Sequence, residues 1–359
     1  MRAHKNIAIL GANFKVASDD FMAFGGCESQ LEKLGIELGK KAQYKVSLIF
    51  EGIKRCSGSS TYYDWYSMPD RWSSFHGALK LLNMIKQLSA DIILVRSSTP
   101  HLLIFGIIAK ILKAKVIYFA TNNWEFTNKP EKVGGWRWRS FILGLQLCSC
   151  IFVQNEYQLR RSKRLLLVRK KRILRIVSNF PLLDRIESPL PPGEDFTWVG
   201  IYRSYKRPEW ILDIAKQLTD KKFCLVLHFD GDTKSELIFT RAAKMCDNVK
   251  LIRGLRRDQL YEIYKKASAL LITSEVEGFP NVAIEAWSQA RAVISTPVGA
   301  LQNLGKPEGT ICAKDIGNFV NIIKNVSTDD LEKIGLNGYN YFNSNFSTSR
   351  IIKRIEEYF

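Results

Sequence analysis

The sequence predicts an α/β protein with two Rossmann-like, doubly wound domains. Its 359 residues exceed one small domain. A hydrophobic share of 46% with 25% charged residues is typical of a globular protein with sizeable cores. Short apolar runs alternate with helical patterns almost throughout, as in parallel sheets covered on both faces. The predicted strands are 7–10, 45–50, 91–95, 116–120 and 150–154, then 197–200, 223–229, 249–253, 269–273 and 292–295.

A polar, proline-rich stretch separates the two series of strands. Residues 188–194 read Ser-Pro-Leu-Pro-Pro-Gly-Glu, a composition typical of linkers. We therefore expect a first domain over 1–187, a linker over 188–194 and a second domain over 195–346. Because parallel sheets bind ligands beyond the carboxyl ends of their strands, we expect the site in a cleft between the two domains.

Positive charge is concentrated in the first half of the chain. Residues 1–193 contain 30 basic and 14 acidic side chains, whereas 194–359 contain 23 and 21. Nine basic residues and no acidic ones occur in 160–175, downstream of Trp136-Arg-Trp-Arg139. The nine are Arg160, Arg161, Lys163, Arg164, Arg169, Lys170, Lys171, Arg172 and Arg175.

These basic residues, interleaved with leucine and tryptophan, suit an anionic bilayer surface. The alternatives are a solvated helix face and a nucleic-acid partner. No zinc-finger spacing or RNA-recognition signature accompanies the charge, so we predict no nucleic-acid partner.

Cysteine usage and hydropathy favour a cytoplasmic protein. The seven cysteines are an odd number without zinc-ligand spacing, as expected of reduced thiols. The apolar run at 7–10 is too short for a signal-peptide core. No stretch reaches the roughly 20 apolar residues that a membrane span needs.

The most informative stretch is 269–287, where an apolar strand leads into a loop and a helix. Glu277 lies on the loop and Glu285 about one turn into the helix, so both can face the carboxyl edge of the sheet. Pro280 suits a first helical turn, and the free N–H groups of a helix start suit a phosphate. Taken alone, the two glutamates would be an exposed loop residue and a solvated helix residue.

The segment Glu277-Gly-Phe-Pro-Asn-Val-Ala-Ile-Glu285 resembles the E-x7-E signature of glycosyltransferase family 4. The members are retaining enzymes of the GT-B fold that use nucleotide-sugar donors, so a UDP- or GDP-sugar is implied here. The resemblance implies that Glu277 contacts hydroxyls of the donor sugar and that Glu285 hydrogen-bonds the ribose. It implies further donor-binding residues at Gly278, Phe279, Pro280 and Asn281.

The opening of the second domain resembles the strand, loop and helix that hold the donor diphosphate in the same family. Lys206 follows Gly200 by six residues, where the family carries its phosphate lysine. Ile201 stands where the family often has arginine, and Arg203 is the expected substitute. Arg207 adds another cation, and cations beside a leaving diphosphate stabilise its growing charge. The alternative is surface charge at a helix start. The expected catalytic residues are Glu277, Lys206 and Arg203.

Two further segments of the second domain have the look of the family. Gly254 and Leu255 follow a predicted strand, and the resemblance implies that they lie near the nucleobase. Residues 289–294 read Gln-Ala-Arg-Ala-Val-Ile and lack the glycine and proline of the family pattern.

The first domain resembles the acceptor-binding half of the family more weakly. Gly25 and Gly26 lie in a loop after the first strand, where the missing side chains let a phosphate or sugar approach the backbone; an ordinary loop is the alternative. Arg96 ends another strand. No histidine follows the 116–120 strand. The candidate acceptor residues there are Asn122, Asn123 and Glu125.

No metal ion or other cofactor is predicted. Asp230-Gly-Asp232 is the only formal Asp-x-Asp match, and we interpret it as a turn. The resemblance implies that an oxygen of the donor phosphate takes the acceptor proton. The chain then positions the reactants and stabilises charge.

The expected protein is a cytoplasmic glycosyltransferase that takes part in cell-surface polysaccharide assembly. Its expected acceptor is a glycan that is linked to a lipid. We expect it at the inner face of the membrane, with a helix over 347–359 returning to the first domain. The alternatives are a non-catalytic GT-B-like binding protein and, least favoured, a nucleic-acid-binding protein. Retention of Lys206, Glu277 and Glu285 together argues against a degenerate domain.

Overall fold

The computed structural model describes most of the chain as two compact units. The described residues are 4–11, 14–17, 20–23, 26–52, 56–68, 71–97, 99–126, 135–166, 173–177, 179–229, 231–255, 259–302 and 309–359. The first unit consists of Met1–Phe180 together with Thr348–Phe359, and the second is Pro181–Ser347. Each is built around a largely parallel sheet. The predicted α/β class with two doubly wound sheets is confirmed.

Strands and helices alternate along the first unit. They are β1 (Lys5–Gly11), β2 (Phe14–Ala17), β3 (Asp20–Ala23), α1 (Gly26–Gly39), β4 (Tyr44–Glu51), β5 (Cys56–Ser59), β6 (Asp64–Met68), α2 (Phe75–Gln87), β7 (Ile92–Arg96), α3 (Leu102–Leu112), β8 (Lys115–Phe119), α4 (Gly135–Leu145), β9 (Cys150–Val153), α5 (Glu156–Leu165) and β10 (Ile173–Ile176).

Within the described residues, the sheet of the first unit has eight strands in the order β10-β9-β8-β7-β1-β4-β6-β5. All neighbours pair in parallel except β5, which is antiparallel to β6. Strands β2 and β3 form a separate antiparallel hairpin. Four of the five residues of β7 are buried in succession, because helices cover both faces of the sheet.

The helices of the first unit divide between the two faces of its sheet. Helices α2 to α5 pack on one face through a core that includes Leu81, Phe105, Phe141 and Leu159. Helix α1 packs on the other face through a core that includes Leu34. Each face of the sheet is therefore covered by its own set of helices.

The second unit has the same alternation of strands and helices. Its elements are β11 (Asp195–Ile201), α6 (Glu209–Gln217), β12 (Lys222–His228), α7 (Thr233–Lys244), β13 (Val249–Arg253), α8 (Leu260–Lys266), β14 (Ala267–Ile272), α9 (Asn281–Ser288), β15 (Ala292–Ser295), β16 (Thr310–Cys312), α10 (Ile316–Asn325) and α11 (Thr328–Asn345).

In the part of the second unit that the structure describes, the sheet has six parallel strands in the order β13-β12-β11-β14-β15-β16. From β11 the chain first builds the sheet outward through β12 and β13. It then returns to the other side of β11 to add β14, β15 and β16. The order therefore reverses between β11 and β14, and such a switch point leaves a crevice beyond the carboxyl ends of the two strands.

The proline-rich segment lies within the second unit, which begins just after Phe180. The buried guanidinium of Arg291 donates to the carbonyl of Leu190 across 3.1 Å and to that of Pro191 across 2.8 Å. These bonds hold the expected linker, 188–194, against its own unit. The two compact units divide between Phe180 and Pro181, ahead of this segment.

The last helix, α12 (Thr348–Glu356), belongs to the first unit. Its residues Ile351, Ile352 and Ile355 enter the core beneath α1. An ion pair between Lys41 Nζ and Glu356 Oε2, 2.6 Å apart, joins it to the turn after α1. Helices α1 and α12 therefore cover the same face of the sheet.

Candidate active site

Two loops of the second unit emerge side by side at the switch point. Strands β11 and β14 pair in parallel, with Thr197 opposite Leu270. Their carboxyl ends, Ile201 and Ile272, therefore lie at the same edge of the sheet. The amide of Glu275 on the second loop donates to the carbonyl of Tyr205 on the first across 2.7 Å. The two loops thus form one continuous edge.

This edge brings together two of the predicted catalytic residues. The ammonium group of Lys206 lies 3.0 Å from Glu277 Oε1. The Ser274 hydroxyl donates to the same carboxylate oxygen across 2.8 Å. The side chains of Lys206 and Glu277 remain 24% and 16% exposed. The ion pair is therefore held in place and is still reachable from solvent.

The environment of Lys206 keeps its amine charged. Burial acts to lower the pKa of Lys206, whereas the charges of Glu277 and Tyr205 and the hydrogen bond to Glu277 act to raise it. The net effect is a pKa above its usual value. Lys206 is therefore an ammonium ion at physiological pH.

A buried threonine anchors the backbone that carries the lysine. The Thr273 hydroxyl lies 2.7 Å from the carbonyl oxygen of Lys206 and 2.9 Å from that of Arg207, and its hydrogen can be shared between them. The indole of Trp198 donates to Thr273 Oγ1 across 3.1 Å. The turn that presents Lys206 is thereby tied to the interior of the sheet.

Arg207 pairs with a different carboxylate from the one that Lys206 contacts. The Arg207 guanidinium lies 3.1 Å from Glu275 Oε2 and 4.9 Å from the centroid of the Trp210 ring. The residue itself has a φ of +49°, the left-handed conformation that ends the short turn Ser204–Lys206. Arg207 thus engages a neighbouring carboxylate and an aromatic ring.

Arg203, by contrast, is exposed beside Lys206. Its Nη1 donates to the carbonyl of Tyr202 across 3.2 Å. Its charge acts to lower the pKa of Lys206, so the two cations are near each other. A diphosphate at this edge would meet both of them.

The loop that carries Glu277 is braced by close backbone contacts. The Gly278 carbonyl accepts a hydrogen bond from the Ala300 amide across 2.8 Å. Gly299 has a φ of +52°, and a Cβ atom there would lie 2.2 Å from that carbonyl oxygen. Only glycine fits this position. Gly278 therefore contributes by holding the backbone at the base of the loop.

The aromatic residue of the E-G-F-P-N segment is part of the core. The Phe279 ring packs edge-to-face against Trp287 and Phe346, with centroids 6.1 and 5.4 Å away. Pro280 directly precedes α9, which begins at Asn281. The ring of Phe279 therefore packs in the core, and the contact of this residue with the donor stays a prediction.

Glu285 is a buried residue of α9. It is 2% exposed, and its Oε2 accepts a hydrogen bond from the Tyr264 hydroxyl across 3.1 Å. Tyr264 comes from α8, which directly precedes β14. This bond links the two helices. The contacts of Glu285 are thus distinct from those of the Lys206–Glu277 pair.

The remaining predicted donor residues lie at the carboxyl ends of β11 and β13. Gly200 is in β11, where a Cβ atom would lie 2.8 Å from the Trp198 ring. Gly254 directly follows β13 with a φ of +68° and open space around it. Leu255, the next residue, packs partly buried against the core beneath α9. A side chain at Gly200 would therefore collide with Trp198, whereas Gly254 is favoured by its positive φ.

Arg96, one of the predicted acceptor residues, belongs to a hydrogen-bonded network at the carboxyl ends of β7 and β9. Arg96 Nη2 donates to Asn179 Oδ1 across 2.7 Å, and Gln154 Nε2 donates to the same oxygen across 2.6 Å. Arg96 and Gln154 line a pocket together with Phe119 and Phe180. Gly26 begins α1, and Gly25 lies outside the described residues.

The other predicted acceptor residues are engaged within the first unit. Glu125 is buried and accepts hydrogen bonds from Tyr118, at 2.8 Å, and from the amide and hydroxyl of Thr121. Burial raises its pKa despite these bonds. Asn122 accepts from the Trp124 amide, and Asn123 accepts from Asn155. These bonds shape the loop.

No metal-binding cluster of three His, Cys, Asp or Glu side chains occurs in the part of the chain that the structure describes. Asp232 caps α7 by accepting from the Ser235 amide across 3.0 Å. Its predicted turn partner, Asp230, lies outside the described residues.

The residues that the sequence analysis missed are hydrogen-bonding partners of the ion pair, of the turn that carries Lys206 and of Glu285. Thr273, Ser274, Trp198 and Tyr264 are polar or polar-tipped side chains held at the site by hydrogen bonds. Only Thr273 and Ser274 carried a signal, because they are the first polar residues after the apolar run of β14. Trp198 and Tyr264 read as core residues.

Comparisons with solved structures agree with this architecture over the whole chain. The sucrose-phosphate synthase from Thermosynechococcus elongatus is similar with a TM-score of 0.77 and 16% identity, covering 99% of this chain and 98% of that one. The Anabaena protein HepE, solved in complex with UDP, has a TM-score of 0.73 and 13% identity, covering 98% of both chains. The lipopolysaccharide outer core galactosyltransferase WaaB has a TM-score of 0.67 and 15% identity, covering 98% of both chains.

The chain has the GT-B fold. Residues 193–329 also match the family model described as "Glycosyl transferases group 1". The match spans β11 to the start of α11 and includes the Lys206–Glu277 edge. No curated protein sequence matches the chain. The GT-B fold and the family match together support a glycosyltransferase.

Proposed function

We propose that this protein is a retaining glycosyltransferase, similar to those of family 4, that moves a sugar from a UDP- or GDP-sugar to a glycan acceptor. The ion pair of Lys206 and Glu277 carries the proposal. It unites a cation and a carboxylate, 71 residues apart in the chain, at the switch point of a doubly wound sheet. The segment that contains both matches the glycosyltransferase family model.

The chemistry assigns complementary roles to the two side chains. An acceptor hydroxyl oxygen forms the new bond to the anomeric carbon on the face from which the diphosphate leaves. The bond between that carbon and the phosphate oxygen breaks, and its electron pair goes to the diphosphate. A phosphate oxygen takes the hydroxyl proton, so no protein base is required.

Lys206 would stabilise the charge that grows on the leaving diphosphate, with Arg203 beside it. Glu277 would hold hydroxyls of the donor sugar and so orient the anomeric carbon. Ser274 fixes the carboxylate by its hydrogen bond. The ion pair holds both groups at the edge until a donor supplies new partners for each.

A uracil nucleotide is one of the two proposed donors, and the complex of HepE with UDP supports it. We propose Glu285 as the ribose partner by resemblance. In this structure Tyr264 holds that carboxylate, so ribose binding would exchange or share the bond.

We further propose a lipid-linked acceptor in cell-surface polysaccharide assembly, with the protein at the inner face of the membrane. Basic side chains support this location: Arg160, Lys163 and Arg164 are exposed on α5. The basic residues of 167–172 lie outside the described residues. Within the part of the chain that is described, no helix has the length and apolar character needed to cross a bilayer.

The experiment is a thermal-shift panel of nucleoside diphosphates and their sugars on the purified chain. A ligand that binds only the native state raises the melting temperature, so UDP or GDP should do so and the nucleoside monophosphates should do so less. Turnover with the stabilising sugar, with and without EDTA, then tests transfer and the proposed lack of a metal requirement. Binding without turnover on any acceptor would favour the GT-B-like binding protein.

A further inference from the structure

One face of the first unit is basic and partly apolar, and its composition differs from that of the opposite face. Helices α2, α3 and α4 contain no acidic residue, and α5 contains only Glu156. The basic residues of these four helices are Lys80, Lys86, Lys110, Arg137, Arg139, Arg160, Arg161, Lys163 and Arg164.

The helices on the opposite face of the sheet do not have this excess of positive charge. Helices α1 and α12 cover it, and their charges balance. The acidic residues are Glu28, Glu32, Glu37 and Glu356, and the basic ones are Lys33, Arg350, Lys353 and Arg354. Among the helices of the first unit, the excess of positive charge is therefore found on one face of the sheet only.

The basic face also exposes large apolar side chains on three helices. Each helix contributes two, and their exposure ranges from 45% to 88%. They are Phe75 and Leu79 on α2, Ile107 and Ile111 on α3, and Trp136 and Leu143 on α4. The spacings of four and seven residues place each pair on one side of its helix.

Close packing makes α3 and α4 a joint surface. A Cβ atom at Gly106 would lie 2.6 Å from Leu147, and one at Gly144 would lie 2.6 Å from the backbone of Leu102. The glycines let the two helices approach, so their exposed residues belong to adjacent stripes. The exposed cations Lys110 and Arg139 lie three residues after Ile107 and Trp136, so each neighbours an exposed apolar side chain on its helix.

We propose that the α2–α4 face, defined by these six apolar side chains and the basic residues among them, docks on an anionic lipid bilayer. Aliphatic and tryptophan side chains enter the boundary between headgroups and acyl chains, and lysine and arginine reach the anionic headgroups. The proposal rests on the peripheral location proposed above and names the surface responsible.

The charge pattern favours a bilayer over a second copy of this chain. Two such faces would bring like charges together, which disfavours association. A bilayer supplies negative charge and an apolar layer over the whole area of the three helices, without needing a shape-complementary partner.

The test measures sedimentation of the full chain with vesicles of phosphatidylcholine, with or without phosphatidylglycerol. The wild type should pellet with the anionic vesicles, and binding should weaken as salt is added. An Ile107→Ser/Ile111→Ser variant and an Arg137→Glu/Arg139→Glu variant should each lower the partition coefficient at least about tenfold.

Two control variants match these changes on other surfaces. Leu237→Ser/Ile238→Ser alters exposed apolar residues of α7, and Lys353→Glu/Arg354→Glu alters exposed cations of α12. The apolar control should sediment like the wild type. The charge control should lose less binding than the α4 variant, because its charges lie on the opposite face.

Two results would overturn the proposal. One is undiminished vesicle binding by the α3 and α4 variants. The other is a wild type that ignores vesicles but forms a dimer or binds an acidic protein through Ile107 and Ile111. A Glu277→Gln variant should sediment with anionic vesicles like the wild type. A failure of the proposed transferase function can therefore be distinguished from a failure of the proposed docking surface.

Discussion

The indole N–H of Trp198 donates to Thr273 Oγ1 across 3.1 Å, and that hydroxyl lies 2.7 Å from the carbonyl oxygen of Lys206. Trp198 lies on β11 and Thr273 directly follows β14. The two strands flanking the switch point are thus joined by one hydroxyl, which also supports the turn carrying the proposed phosphate ligand.

Replacing this hydroxyl should misplace Lys206. We expect Thr273→Val to lower kcat/KM for the donor about tenfold, since one buried hydrogen-bonding group is lost and small displacements of positioned groups are costly. Steady-state kinetics with varied donor measures the effect.

Thr273→Ser is the conservative control, because it keeps the hydroxyl and removes only a methyl group. It should recover most of the activity and nucleotide affinity. Equal losses in the valine and serine variants would mean that Thr273 acts through packing alone.

Removal of either member of the ion pair should abolish most turnover while the fold persists. We expect Lys206→Ala and Glu277→Ala each to lose at least ~10²-fold in rate, as for one transition-state contact. Circular dichroism and thermal melting check the fold, and donor turnover measures the rate.

Lys216→Ala is the matched control for the lysine, because Lys216 forms an exposed ion pair with Asp213 on α6. Exposed pairs contribute little to stability, so this variant should resemble the wild type. Near-normal turnover of the purified Lys206 or Glu277 variant would refute the assigned roles.

Gly299 should be irreplaceable at the base of the Glu277 loop. In Gly299→Ala the new Cβ would meet the Gly278 carbonyl oxygen at 2.2 Å, with a φ of +52° that disfavours alanine. We expect the free energy of unfolding to fall by at least about 1–3 kcal/mol. Urea denaturation measures it.

Gly317→Ala offers a comparison on an exposed helix position of α10. The nearest atom to its Cβ is a side-chain oxygen of Asp315 at 3.4 Å, an ordinary contact. Alanine favours helix by about 1 kcal/mol over glycine, so this variant should be slightly stabilised. A stable Gly299→Ala variant would show that the loop has room to move.

Glu125 should make the stability of the chain depend on pH. Because burial raises its pKa above the usual 4.5, the native state holds the proton more tightly than the unfolded state. The favourable contribution is complete below the unfolded pKa and is lost as pH rises through the folded pKa. Relative to Glu125→Gln, the wild type should therefore lose stability as pH rises from about 4.5 through that window.

Denaturation curves of both proteins over a pH series test this sign. A wild type that gains stability relative to Glu125→Gln on going to neutral pH would show that the bonds from Tyr118 and Thr121 outweigh the cost of burial.

The ten strands expected from apolar runs all occur, within one or two residues at their ends. The main-sheet strands that were missed, β5, β6, β10 and β16, lie at or next to a sheet edge. An interior strand is buried on both faces and reads as a continuous apolar run, whereas an edge strand such as Cys56–Ser59 has two exposed residues and no such run.

The candidate site could be predicted from the sequence only in part. Glu277 and Lys206 stood out because their neighbours form a motif. Trp198 reads as a core residue of a strand, and Thr273 had only the weaker signal of a polar residue that follows an apolar run. The proposed membrane surface was expected in residues 160–175, and the apolar residues of α2 and α3 had no signal. Their exposure depends on which side of each helix meets the sheet.

The amino-acid sequence was enough to predict two parallel sheets and to single out Lys206 and Glu277. The reason is that strands buried on both faces are continuous apolar runs and that turns contain characteristic residues. Only the tertiary structure showed that these two side chains lie 3.0 Å apart, that Phe279 is a core residue and that Glu285 accepts a hydrogen bond from Tyr264. The reason is that such distances depend on the register of neighbouring strands and on the rotation of each helix, and neither is a property of adjacent residues.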